Sequence, residues 1–450
     1  MKPTGILFFP AFDWAISPTH PEREERLLYT RDQIFEEGIM DLPQIKEYKP
    51  GLASYKDIAR VHFCVPDIDS QITEAHLVSA GSALVIADAV MTGEVKNGFA
   101  IIRPPGHHSM SVSHGNRGFC NINNEAIMVE YLRQKYGLKK IAIIDTDVHH
   151  GDGTQEIFYN DPNVLFISFH QDGRTLYPGS GFMDELGGPL AYGSTINIPL
   201  APRTTDTGIN YAIDHLILPI LDEFKPDIIV NSAGQDNHYS DPLANMSFSA
   251  QGYAILNSKL APDIAVLEGG YSVETALPYI NMGLIMAMAG IDYSNLREPD
   301  YSPSKLKESP SNLEKIKRMV EEQLNVFRNR EETIAINRQK GQEFHMQYKN
   351  IFYDTDYIHE EQYLNLRLCP KCSGFRTIKS SARHQTGHNY RVLCITIPVD
   401  ACETCQDQAR TAYKDALRLH DNNYDIVYLQ DRVNDQYKNT DILTGKEQVL

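Results

Sequence analysis

The sequence predicts an α/β protein: an open, mostly parallel sheet flanked by helices, followed by a small C-terminal zinc-ribbon-like module. Three observations predict it. Short apolar runs rich in Ile and Val recur at 6–9, 99–102, 141–144, 164–167, 196–198, 228–230 and 264–267. Helical stretches lie between several of them. Cys369-Pro-Lys-Cys372 and Cys402-Glu-Thr-Cys405 then form two paired-cysteine knuckles near the C-terminus.

None of the apolar runs alternates cleanly with polar residues, which is how strands buried on both faces of a parallel sheet read. Residues 73–91 are rich in Ala, Leu and Val and stop before Gly93, as a helix would. Residues 210–223 precede Lys225-Pro226-Asp227, a stop followed by the next strand. Strand and helix in alternation imply an open α/β sheet. Residues 291–311 read as a polar surface loop, and Leu313, Ile316, Met319, Val320 and Leu324 show helical spacing. The expected division is a catalytic domain over 1–330, a helical connector over 331–365, and a zinc-ribbon-like module with a tail over 366–450. Within that module the alternating, β-branched stretch 391–397 reads as a strand.

The formal net charge of −17 excludes broad nucleic-acid binding, which needs clustered Lys and Arg. It is compatible with cationic substrates, although net charge speaks mainly to solubility. Seven cysteines, four of them in paired knuckles, indicate metal binding in a reducing compartment rather than a disulfide framework. Gly5-Ile-Leu-Phe-Phe-Pro10 is too short for a signal sequence, and no apolar run approaches membrane-spanning length. A cytoplasmic protein with no membrane and no nucleic-acid partner is expected.

The polar motifs begin where the strands end. The run at 99–102 leads into Arg103-Pro-Pro-Gly-His-His108, and that at 141–144 into Asp145-Thr-Asp-Val-His-His-Gly-Asp-Gly153. The run at 228–230 leads into Asn231-Ser-Ala-Gly-Gln-Asp236, and that at 264–267 into Glu268-Gly-Gly-Tyr271. In doubly wound sheets ligands bind beyond the carboxyl ends of the strands, so these loops converge on one rim. Asp147, His149 and Asp236 offer two carboxylates and one imidazole, a set that suits a catalytic divalent metal with an open position. His107 and His108 could flank an activated water as proton acceptor and donor. Each imidazole needs a carboxylate behind it, and Asp145 and Asp152 are available. A phenol at Tyr271 can donate to a developing oxyanion. The four cysteines of the knuckles (Cys369, Cys372, Cys402 and Cys405) read as ligands of a structural zinc, with His384 and His388 as nearby substitutes.

These motifs, with Gly118-Phe-Cys120, Tyr177-Pro-Gly-x-Gly181, Asp241-Pro-Leu243 and His20-Pro-Glu-Arg-Glu-Glu-Arg26, resemble the histone deacetylase and acetylpolyamine amidohydrolase superfamily over roughly residues 1–330. The details look closest to its bacterial and class II branch. The resemblance implies the arginase/deacetylase fold and one catalytic zinc on Asp147, His149 and Asp236. It implies His108 as general base and acid, His107 as its electrostatic partner, and Asp145 and Asp152 as their orienting carboxylates. Tyr271 would stabilise the tetrahedral intermediate. Gly118, Phe119 and Tyr177 would line a narrow tunnel with Leu243 at its rim. A potassium ion near the zinc loop would involve Asp145, Asp147, His149, Ser168 and Phe169.

The implied reaction is hydrolysis of an acylated lysine in a peptide or protein, or of an acetylated polyamine. Leu243 stands where a polyamine-selective relative carries Glu, and the segment between His62 and Thr73 is short. Both points favour lysine, while Asp67 and Asp69 keep the polyamine reading open. Gln235, Ser109 and Asn121 depart from the family pattern without removing a catalytic group. The arginase group, of the same fold, needs a second metal for which ligands are lacking here. A non-catalytic acyl-lysine reader would not need the complete set of catalytic groups.

Overall fold

The computed structural model describes residues 2–339, 343–418 and 423–450. Its larger layer is an eight-stranded sheet. The strands are β1 (Thr4–Phe9), β2 (Ile45–Tyr48), β3 (Asn97–Ile102), β4 (Ile141–Asp145), β5 (Val164–Gln171), β6 (Thr195–Leu200), β7 (Ile228–Ala233) and β8 (Ile264–Leu267). All neighbours run parallel, in the order β2-β1-β3-β8-β7-β4-β5-β6. Every apolar run of the sequence falls in one of these strands. The strand without such a run, β2, is the half-exposed edge Ile-Lys-Glu-Tyr, too polar to read as buried.

Successive side chains of a strand point to opposite faces, and each face has its own core. Phe99, Ile101, Ile144, Ile167 and Leu267 pack on one side, and Ala100, Ile102, Ile143, Phe166 and Val266 on the other. The helix Glu74–Met91 covers the second face and is capped by Thr73. By length and composition alone it could cross a membrane, contrary to the expectation that no apolar run is long enough. It is instead a core helix, 61% buried. Helix Pro310–Arg328 carries the spacing expected of it and closes the first face through Ile316, Met319 and Val320.

The expected helical connector over 331–365 ends early. Helix Arg330–Gln339 occupies its start, but Phe344–Tyr353 (β9) and Ile358–Arg367 (β10) form an antiparallel hairpin. The reason is visible in β10, where Ile358, Glu360, Gln362, Leu364 and Leu366 are buried and the residues between them are not. That two-residue period belongs to a strand with one covered face. The hairpin opens a seven-stranded sheet, much larger than a zinc ribbon alone. It continues through Arg376–Arg383 (β11), Asn389–Ile397 (β12), Ile426–Asp431 (β13), Gln436–Asp441 (β14) and Glu447–Val449 (β15). Helix Glu403–Arg418 covers one face of this sheet. The other face buries Leu364, Ile378, Val392 and Tyr428 against Phe63, Val65 and Val112, of which Phe63 and Val112 belong to a separate two-stranded ribbon beside the large sheet.

Candidate active site

The strands whose loops carry the polar motifs, β3, β8, β7 and β4, are neighbours in the middle of the sheet. Parallel order puts all their carboxyl ends on one edge, so sequence-distant motifs meet there. They line a cavity of about 220 Å³ that includes His107, His108, Gly118, Phe119, Asp147, His149, Tyr177, Asp236, Leu243 and Tyr271.

Asp147, His149 and Asp236 each bring one donor atom within 4.8 Å of the others. Nδ1 of His149 lies 3.1 Å from both Asp147 Oδ1 and Asp236 Oδ2. The spare oxygens are fixed by backbone: Gly269 N–H donates to Asp147 Oδ2 at 2.7 Å, and Val148 N–H to Asp236 Oδ1 at 2.8 Å. Gly269 admits no side chain, since a Cβ would lie 2.3 Å from Asp236 Oδ2. Two converging carboxylates and an imidazole, all buried or nearly so, are a donor set that fits a divalent ion.

Opposite the donors stand the paired histidines. His107 Nδ1 is 3.1 Å from Asp145 Oδ2, and His108 Nδ1 is 2.9 Å from Asp152 Oδ1. From the protein's own charges the two imidazoles diverge. Burial opposes a proton on His107, but Asp147 and Asp145 hold it well above the usual imidazole range. Burial and the neighbouring His107 push His108 down to about 3. Burial would raise Asp152, yet Arg117 and then His108 draw it below the usual carboxylate range. Burial likewise drives the Tyr271 phenol well up, so it stays a proton donor.

Several functional residues carried no assigned role from sequence. Arg117 pairs with Asp152, its Nη1 2.8 Å from Oδ1 and its Nη2 2.5 Å from Oδ2. Glu268 accepts the N–H groups of Gly106 and His107, fixing the turn that presents the histidines. Asp241 accepts the N–H of Tyr271 at 2.7 Å. Buried Arg26 binds Glu22 and donates to the carbonyls of Glu268 and Gly270, while Arg103 binds the other Glu22 oxygen. The N-terminal motif thus braces the Tyr271 loop. Their sequence signal was membership in a motif, without anything to say which partner each would meet.

The Gly118–Phe119 turn and Tyr177 line the cavity. The Tyr177 ring lies edge-on to His108 at 5.2 Å, and Phe119 edge-on to Tyr271 at 5.7 Å. Asp354, from the turn of the C-terminal hairpin, also lines the cavity. Asp67 and Asp69 do not line it: Asp67 caps a short helix, and Asp69 accepts from Tyr55. Ser168 is the cross-strand neighbour of Asp145, with Phe169 next to it in the strand. Gly118 has φ +54°, and a Cβ there would lie 2.4 Å from His108 Cδ2. Gly118→Ala is therefore expected to cut kcat/KM about a hundredfold by displacing His108, and to lower the melting temperature as well, because an alanine is strained at this φ. Wild-type kcat/KM in this variant would contradict the packing described.

The four knuckle cysteines also converge, each offering a sulfur within 4.8 Å of the others. Sγ of Cys369 lies 3.8 Å from that of Cys402, and Cys372 3.6 Å from Cys405. These separations are far above a disulfide's and match the edges of a tetrahedron with zinc–sulfur bonds of about 2.3 Å. His384 lies elsewhere, against His114 at 2.9 Å, and His388 packs beside Tyr390.

A histone deacetylase domain matches residues 65–282. A probable deacetylase of Archaeoglobus fulgidus is 46% identical over 349 residues, covering 71% of this chain and 96% of its own length. A histone deacetylase-like amidohydrolase of Pseudomonas aeruginosa is 34% identical over 49% of this chain and 60% of its own. Among solved structures, the HDA15 HD domain superposes with a TM-score of 0.63 and 27% identity, covering 75% of this chain and 98% of that one. A relative matched along nearly its whole length, on a fold whose central strand ends gather the deacetylase motifs, leaves no second assignment: the chain belongs to the histone deacetylase family and is an enzyme that hydrolyses amides.

Proposed function

We propose that the chain is a zinc-dependent hydrolase of N-acyl-lysine amides in peptides or proteins. One observation carries the reading: the Asp147–His149–Asp236 donor set faces the paired histidines and the Tyr271 phenol across a single narrow cavity. When bound, zinc would supply Lewis acidity for the amide carbonyl and lower the pKa of water.

The remaining work falls to the chain's own groups. Asp152 occupies Nδ1 of His108, which leaves Nε2 to take a proton from the attacking water. Arg117 keeps Asp152 ionised and immobile, so the imidazole holds one orientation. His107, tied to Asp145, puts positive charge beside the developing oxyanion. Tyr271 donates its phenolic hydrogen to that oxyanion. His108 then returns the proton to the departing amine. Gly118, Phe119 and Tyr177 hold the unbranched methylene chain, and Leu243 offers its rim no charge. On the same reading potassium would sit by Asp145, Asp147, His149, Ser168 and Phe169, and a structural zinc would join the four cysteines.

A second reading, hydrolysis of acetylated polyamines, is favoured by one feature, the Asp354 carboxylate at the cavity. Chelation is expected to abolish turnover and added zinc to restore it. Acetyl-lysine peptides are expected to outrun acetylputrescine and acetylspermidine. Activity surviving metal removal sinks the zinc assignment, and faster polyamine turnover sinks the lysine assignment.

A further inference from the structure

The C-terminal module reaches the tunnel through one loop. Residues 112–118 run along the turn of the β9–β10 hairpin, and alternate backbone N–H groups donate to it. His114 N–H donates to the Tyr353 hydroxyl at 3.4 Å, Asn116 N–H to Asp356 Oδ2 at 2.6 Å, and Gly118 N–H to Asp354 Oδ1 at 2.9 Å. The same Asp354 oxygen accepts the hydroxyl of Tyr177 at 3.0 Å. Gly118 and Tyr177 both line the cavity and are carried by loops that follow different strands of the large sheet. A single oxygen atom from the turn of the second sheet's hairpin therefore bridges two loops that line the cavity.

We infer that Asp354 is a positioning residue, which fixes the width of the tunnel before substrate enters. A wall held in place spares the entropy of ordering it on binding. Charge on Asp354 is not what the bridge needs; an acceptor oxygen at that point is. This inference rests on reading the cavity as the seat of a linear acyl amine.

The test compares Asp354→Ala with Asp354→Asn, which keeps an acceptor oxygen without the charge. The probe is a linear alkyl hydroxamate, a metal-chelating head on an unbranched chain, titrated into the full-length zinc-loaded protein. Asp354→Ala is expected to weaken its Kd about tenfold, and Asp354→Asn to stay within about twofold of wild type. On an uncharged, end-blocked acetyl-lysine peptide, Asp354→Ala is expected to raise KM similarly with kcat nearly constant. Equal affinity in Asp354→Ala and wild type overturns the inference. So does an Asp354→Asn as weak as Asp354→Ala, because charge would then be the working feature. A wild-type protein that binds the hydroxamate but turns over no acyl-lysine peptide sinks the function proposed above, while the affinity comparison still decides the role of Asp354.

Discussion

His108→Ala is expected to lower kcat on acyl-lysine peptides about a thousandfold, with zinc content and melting temperature unchanged. The metal donors come from β4 and β7 and their loops, and none bonds to His108, so removing the imidazole leaves the donor set intact. What is lost is the imidazole whose Nδ1 is held by Asp152 and whose ring faces the cavity, the group read as the base of the reaction. The Asp152–Arg117 pair survives the substitution, because the guanidinium alone satisfies both carboxylate oxygens. KM should change little, which places the loss in the chemical step. Turnover close to wild type, measured with metal bound, would return the proton transfers to some other group.

The second large effect is structural. Cys405→Ser is expected to release the structural zinc and to lower the melting temperature of the C-terminal sheet by tens of degrees. Structural zinc contributes on the order of 10 kcal/mol of folding free energy in small modules, and ligand loss removes much of it. Here the cluster joins the end of β10 to the start of helix Glu403–Arg418, so it pins the helix that covers one face of the sheet. The sheet keeps its own apolar core, which leaves partial folding and a second, lower transition in calorimetry. Activity should fall too, because the hairpin that holds Gly118 and Tyr177 belongs to the same sheet. Unchanged zinc content together with an unchanged calorimetric profile would remove the cysteines from any metal role.

Local chemistry made the large sheet legible. Short Ile- and Val-rich runs bounded by polar loops read as two-sided strands, and in a parallel sheet the motifs at their ends share an edge. That Asp145 and Asp152 back the paired histidines could be expected from the carboxylates nearby, but which aspartate meets which imidazole is set by the fold. The hairpin at 344–367 was hidden for a different reason. Its β9 strand is mostly exposed or half-exposed, so it lacks the apolar run by which the strands of the large sheet announce themselves. Asp354 could not be read at all. It lies 236 residues from Gly118 and 177 from Tyr177, and nothing around it in sequence points to either. Arg117 sits beside a recognisable motif, but its meeting with Asp152 depends on how the 115–119 turn folds over the cavity.

That distance in sequence has a consequence for biosynthesis. A nascent chain that has emerged through residue 330 already holds every strand of the large sheet, its metal donors and both catalytic imidazoles. It still lacks the hairpin that ties the mouth together. A chain made only that far therefore lacks the Asp354 oxygen that joins the loops of Gly118 and Tyr177. If Asp354 positions those loops as inferred above, the last part of the chain to be made supplies a contact that shapes the mouth of a site built from the first part.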